Sequence, residues 1–215
     1  MSDRSNGAGS PVPEVPLSAP AGSLPAGLPE VLESVWAALE RGVRDRWIPW
    51  SLPVLATVGS DGAPQARVIA LRRVERQSRT LIFHTDVRSP KARALAADRR
   101  AAVTFWDPTD AVEVRFTGHV KIHRDDAVAR DCWRDASALS RSAAGIALAP
   151  GTVLTRATPF EQLVQEGSAD MAYSHFAALV FEAESLDWLW LGPRDLRRAR
   201  FLWGGRDGSG RWLVP

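Results

Sequence analysis

The sequence predicts an α+β fold in which a largely antiparallel, barrel-like sheet carries peripheral helices. Three observations predict it. Strand-like segments follow one another through short polar turns. Helical patterning stands before the first hairpin and between the third and fourth strands, not between every strand pair as βαβ units require. The chain, 215 residues with 45% hydrophobic and 24% charged side chains, suits one buried core and is too short for two large lobes.

The elements follow in order. Residues 1–27 are Pro, Gly, Ser and Ala with few large apolar side chains, so they are expected to form a disordered tail ahead of a domain spanning 28–215. From Pro29, the spacing of Val31, Leu32, Val35, Trp36, Leu39 and Val43 predicts a helix to about Asp45, with Glu30 and Glu33 suiting its positive end. Pro53 to Val58, the turn Gly59 to Pro64, and Gln65 to Val74 read as a two-stranded hairpin, and Thr80 to Thr85 as a third strand. Ser89 as N-cap and Pro90 at the first helical position open a helix running through Ala97.

Ala101 to Trp106 is strand-like, and Asp107 to Asp110 a turn. In the strand from Ala111 to Lys121, Val112, Val114 and Phe116 share one face while Glu113, Arg115 and Thr117 share the other. Residues 125–140 read as helix, 143–158 as loop, and Pro159 to Glu166 as a short helix. Strands at Phe176 to Ala183 and Leu186 to Leu191 follow, with further pieces near Arg200 to Trp203 and Trp212 to Val214. No repeat of solenoid period is present.

Twenty-seven basic and 25 acidic residues leave a net charge of +2, and only Lys91 and Lys121 among the bases are lysine. Arginine forks suit carboxylates and phosphates, yet so small a surplus gives no general field for nucleic acid. One cysteine, Cys132, excludes an intrachain disulfide. With no leader-like apolar segment at Met1 and no apolar run of about 18 residues, the expectation is a cytoplasmic protein without a membrane partner. His84, His119, His123 and His175 lack the converging ligands a metal needs, so none is expected. Cys132 has no histidine near it in sequence and reads as a packed thiol.

The chemically richest stretch is Thr85-Asp86-Val87-Arg88-Ser89-Pro90-Lys91. A helix opening at Ser89 points unpaired N–H groups and a partial positive charge at a space flanked by Arg88 and Lys91, and Arg67 on the preceding hairpin adds another donor. Locally, this is either a phosphate-sized pocket or a well-capped surface helix with solvated bases. The wider pattern is more specific. Arg67 to Arg72, then Phe83-His84-Thr85-Asp86, then Arg88-Ser89-x-Lys91, then Glu113 to Gly118, and finally Trp190-Leu191-Gly192 with Arg200-Phe201 and Trp212 to Pro215, resembles the flavin-binding core of the pyridoxamine 5'-phosphate oxidase family. The TD-x-RS-x-K form is similar to its general FMN-binding branch.

The resemblance implies an antiparallel split β-barrel homodimer, with FMN between subunits and a small-molecule substrate or electron donor. By that resemblance Arg67, Ser89 and Lys91 hold the phosphate with Arg88 beside them. The backbone of Val68, Ile69, Ala70 and Leu71, with Arg72, His84 and Thr85, lines the flavin; Glu113, Trp190 and Arg200 complete the site. Pro90 replaces a family arginine, Glu113 a glutamine, and Arg72 a lysine. Trp133 to Arg141 and Leu196-Arg197-Arg198 depart from the motifs that grip pyridoxamine phosphate, so vitamin B6 synthesis is not the expected activity. The expectation is an FMN-dependent oxidoreductase with no assigned catalytic side chain. The alternatives are a non-catalytic binder, or a deazaflavin or haem in the same groove.

Overall fold

The apolar stripe of the first helix is what anchors it: Val31, Val35, Trp36 and Leu39 are all buried along α1 (Leu28–Arg44) in the computed structural model, which describes residues 25–164, 169–193, 195–203 and 210–215. Trp36 meets Phe116 at 6.1 Å between ring centroids, so α1 covers one mouth of the sheet's core. Most of the expected tail, residues 1–24, lies outside the described residues.

Among the described residues nine strands follow: β1 (Val54–Val58), β2 (Pro64–Val68), β3 (Leu71–Glu75), β4 (Thr80–Asp86), β5 (Arg100–Asp107), β6 (Val112–His123), β7 (Phe176–Leu191), β8 (Leu196–Leu202) and β9 (Gly210–Leu213). Every pairing is antiparallel. The order is β2-β1-β5-β6-β7-β4-β3, with β8 on β7 and β9 on β8. The 16-residue β7 pairs with β6 along nearly its whole length, with β4 over its first half and with β8 over its second. The path forks there and does not close, which is a split barrel.

Two expected strand boundaries are corrected. Gln65 to Val74 is not one strand: the ladder breaks at Ile69–Ala70, so β2 stays with β1 while β3 crosses to β4. Conversely, Phe176 to Leu191 is continuous. The polar Glu184-Ser185 pair forms a bulge, because Thr117 opposes Ser185 while the next residue, Gly118, opposes Ala183. A Cβ at Gly118 would run into the Glu182 carbonyl oxygen, so only glycine fits opposite the bulge.

Helix α2 (Pro90–Ala97) begins as expected, with the Ser89 hydroxyl accepting from the Ala92 amide at 3.3 Å. The helical reading of 125–140 divides into α3 (Ala127–Arg134) and α4 (Ala138–Ala144), each with its own cap, Asp126 and Ser137. The short α5 (Phe160–Leu163) falls inside the expected 159–166, and α6 (Ala169–His175) was not anticipated. A second small cluster of Ile82, Cys132, Phe176 and Ala178 packs under α3 on the other side of β4. Among the described residues, no helix is long and apolar enough to cross a membrane.

Candidate functional site

At the start of α2, Ser89 is buried, its hydroxyl 3.2 Å from that of Thr85. Lys91 makes no hydrogen bond or ion pair among the described residues. Burial lowers its pKa, the Arg67 charge lowers it further, and only Asp86 acts in the opposite sense. Arg67 is held by the Leu55 carbonyl at 3.1 Å, Thr57 Oγ1 at 2.8 Å and Gln65 Oε1 at 3.2 Å, and burial lowers its pKa as well. Two cations held close, without a carboxylate between them and beside a helix N-terminus, form a corner that an anion would stabilise. The donor set of ammonium, guanidinium, two hydroxyls and amides fits a phosphate monoester.

Arg88 sits next to this corner but is committed elsewhere. Its guanidinium bonds Asp86 at 2.6 Å and reaches the carbonyls of Ile146 and Ala147 at 2.8 Å each. It therefore ties the 145–154 loop to the end of β4 instead of facing the corner with free donors. Pro90, at the first turn of α2, supplies no donor in its place.

The backbone expected along a flavin ring is where the β2–β3 ladder is interrupted. Val68 is exposed, Ile69 and Leu71 are buried, and the Ile69 amide donates to the Pro53 carbonyl at 2.9 Å. Arg72 and His84 lie beyond, each with a buried nitrogen, Nε and Nδ1, that has no hydrogen-bond partner among the described residues. Desolvation, reinforced by Arg72 and Arg73, brings His84 down to about 4, so its imidazole is neutral at pH 7.

Glu113 and Arg200 stand in a different place. Arg67 continues the row Leu55–Val103–Phe116–Leu186, whose four members are fully buried, so that row faces the core. Glu113, Arg115 and Asp187 alternate with Val114, Phe116, Leu186 and Trp188 and occupy the opposite face. There Glu113 pairs with Arg115 at 3.2 Å. Arg200 and Arg198 bond Asp187 at 2.7 and 2.9 Å, with Arg115 at 3.6 Å. Burial pushes the Asp187 carboxyl upward, but the bonds from Arg198 and Arg200 outweigh it and hold the carboxyl below its ordinary range. Trp190 shares this end of the sheet on the core side, its indole Nε1 buried without a hydrogen-bond partner among the described residues.

One chain thus brings Arg67, Thr85, Ser89 and Lys91 to one corner and Glu113 and Arg200 to another face. Two features escaped the sequence reading. Asp187 organises three arginines, and a lone acid between Leu186 and Trp188 was its available signal. A cavity of about 440 Å³ is lined by Arg72, His84 and Thr85 together with Ser140, the 146–154 loop and Phe176. The irregular loop carries no periodic pattern from which such a wall could be read. Among the described residues, no group of histidine, cysteine and carboxylate side chains is placed to hold a metal ion.

Comparison with known proteins gives the family and the fold. Residues 51–165 match the profile of the pyridoxamine 5'-phosphate oxidase family. The pyridoxine/pyridoxamine 5'-phosphate oxidase of Pseudomonas paraeruginosa is 30% identical over 152 residues, covering 71% of this chain and 65% of that enzyme. The corresponding enzyme of Thermosynechococcus vestitus is 45% identical over 67 residues, 31% of each chain. The chain therefore spans less than two thirds of the length of these curated relatives. Among solved structures, a pyridoxamine 5'-phosphate oxidase-related, FMN-binding protein from Nostoc punctiforme superposes with a TM-score of 0.68 at 22% identity, covering 85% of this chain and 96% of that one. PhzG from Burkholderia lata, solved with tetrahydrophenazine-1-carboxylic acid, gives 0.66 at 22% identity, covering 87% and 92%.

Proposed function

The chain belongs to the pyridoxamine 5'-phosphate oxidase family, and from that premise we propose that it is an FMN-dependent oxidoreductase that works as a homodimer. The observation that carries the reading is the Lys91–Arg67 corner: two partly buried cations, with no acid bonded to either, at the Ser89-capped start of α2. Each charge-assisted hydrogen bond there contributes about 1.5–3 kcal/mol to phosphate binding. Thr85 and Ser89 add hydroxyl donors, and the open ladder at Ile69–Ala70 offers backbone groups to the ring.

The placement of the two faces supports the dimer reading. Glu113 and Arg200 lie on the face opposite the row that contains Arg67, so a flavin held at Lys91 reaches such residues only from a second copy. The same face exposes Val54, Val68 and Trp106, apolar side chains that packing between copies would cover. Trp190, whose indole N–H lacks an acceptor among the described residues, sits at the end of that sheet and would gain one from the cofactor.

When bound, the isoalloxazine supplies hydride and electron transfer. The protein's part is to grip the phosphate, exclude water from the ring and seat the reducing or oxidised partner in the cavity beside His84. The purified protein is expected to show flavin absorption bands, to sediment as a dimer, and to bind FMN at least 100-fold more tightly than riboflavin. Equal affinity for the two would overturn the phosphate corner. Deazaflavin or haem bands would replace the cofactor, and a bound flavin that neither NADH nor NADPH reduces in stopped flow would favour the carrier reading.

A further inference from the structure

A polar cleft of about 460 Å³ opens at the other end of β4 from the Lys91 corner, with Arg79, Arg99, His119, Glu182, Glu184 and Trp203 in its wall. Thr80, Glu182 and His119 lie side by side across β4, β7 and β6, and the next row, Leu81, Phe181 and Val120, is core, so the cleft stands on the outer face of the sheet. From Thr80 to Thr85 the strand runs about 17 Å, and the cleft shares no lining residue with the cavity beside His84.

Its cations are held in place. Arg79 ends the β3–β4 turn at a φ of 56°, in the left-handed region where a side chain other than glycine or asparagine is strained. Its carbonyl accepts from the Ala183 amide at 3.0 Å, which fastens the turn to β7, and its guanidinium carbon lies 5.5 Å from the centre of the Trp203 ring. Stacking on the indole fixes the plane of the fork. Arg79 Nε is buried without a hydrogen-bond partner among the described residues, and neither Arg79 nor Arg99 has an acid partner there.

The acids of the cleft are unequal. Glu184 meets His119 Nδ1 at 2.8 Å, whereas Glu182 is exposed and has no partner among the described residues. Two guanidinium groups and one carboxylate are therefore left unmatched. A simple anion would face Glu182, and a simple amine would face both arginines. We propose that this cleft binds a dicarboxylic amino acid, its two carboxylates on Arg79 and Arg99 and its ammonium on Glu182. Charge-assisted bonds of this kind select by the position of each charge, and the volume is ample for such a molecule. The binding is independent of the flavin reading.

Calorimetry on the full chain tests this with L-glutamate and L-aspartate against partial ligands. Glutarate and succinate lack the ammonium; L-glutamine and L-asparagine lack the second carboxylate. At least one acidic amino acid is expected to bind about tenfold or more tightly than both its diacid and its amide. Glu182→Gln should bring that amino acid to the level of its diacid, and Arg79→Gln to the level of its amide, with circular dichroism confirming that both variants fold. The proposal is overturned if neither amino acid binds at millimolar concentration, if a diacid or an amide binds as tightly as its parent amino acid, or if both folded variants keep the parent's preference. The partial ligands decide the question on the unaltered chain even where a variant fails to fold. FMN affinity, read by flavin fluorescence, should be the same with and without the amino acid, so failure at either site leaves the other reading standing.

Discussion

The Lys91 corner and the Asp187 cluster are both cationic, yet they have opposite electrostatic economies. At the corner, burial lowers the pKa of both Lys91 and Arg67 and the Arg67 charge lowers that of Lys91 further, with no carboxylate bonded to either among the described residues. On the outer face, Arg198, Arg200 and Arg115 converge on the buried Asp187, and Glu113 answers Arg115. The first arrangement stores unmatched charge that a ligand can neutralise. The second is satisfied within the chain, so a ligand arriving there must compete with existing bonds. On the reading proposed above, an anion would gain its binding energy at the corner, where no ion pair has to be displaced.

Removing the unmatched charge should have the largest effect. Arg67→Ala combined with Lys91→Ala deletes two charge-assisted donors, together about 3–6 kcal/mol, so FMN binding should weaken by more than about 100-fold. Riboflavin, which lacks the phosphate, should bind the variant and the parent alike. Fluorescence titration measures both. Arg67→Ala also gives up its bonds to the Leu55 carbonyl, Thr57 and Gln65, so circular dichroism should accompany the titration to confirm that the variant folds.

Legibility in the sequence divides along the same physical line. Local signals were strong where the chain answers to its neighbours in sequence. The i, i+3, i+4 stripe of α1, the Ser89 cap with Pro90, and the alternation that puts Glu113 and Arg115 opposite Val114 and Phe116 all stand as read. Local signals fall short where distant strands decide. Gln65 to Val74 holds no glycine or proline at Ile69–Ala70, so nothing in it announces that its halves pair with β1 and β4. Glu184-Ser185 looks like a turn, but pairing with β6 carries it through as a bulge. Within the site, the residues of the corner are contiguous enough to be read together. The bonds from Arg88 to the 146–147 carbonyls, by contrast, depend on a loop almost 60 residues away.

A smaller effect is expected at Asp187. Asp187→Asn leaves three guanidinium groups facing a neutral amide, a change costing about 1–2 kcal/mol once the partial exposure of the arginines is allowed for. The sign with pH is fixed by the lowered carboxyl pKa. Its contribution is present above the ordinary carboxylate range, near pH 4, and is lost as pH falls through the lower folded value. The melting temperatures of parent and variant should therefore differ at pH 7 and converge in strong acid. A constant difference across that range would mean that packing, not the ion cluster, is what Asp187 supplies.

The smallest change is the most informative about the cofactor. Glu113 is partly exposed and pairs with Arg115 at 3.2 Å, so Glu113→Gln should alter stability by less than about 0.5 kcal/mol. A carboxylate only accepts hydrogen bonds, whereas an amide accepts and donates. If Glu113 of one copy faces the ring held by the other, that exchange changes the polarity at the flavin edge. The visible bands should then shift and FMN affinity should move by a few-fold while the fold is untouched. An unchanged spectrum and affinity would assign Glu113 to Arg115 alone. The outer face would then keep its charges to itself even in the dimer, and the contrast with the Lys91 corner would be complete.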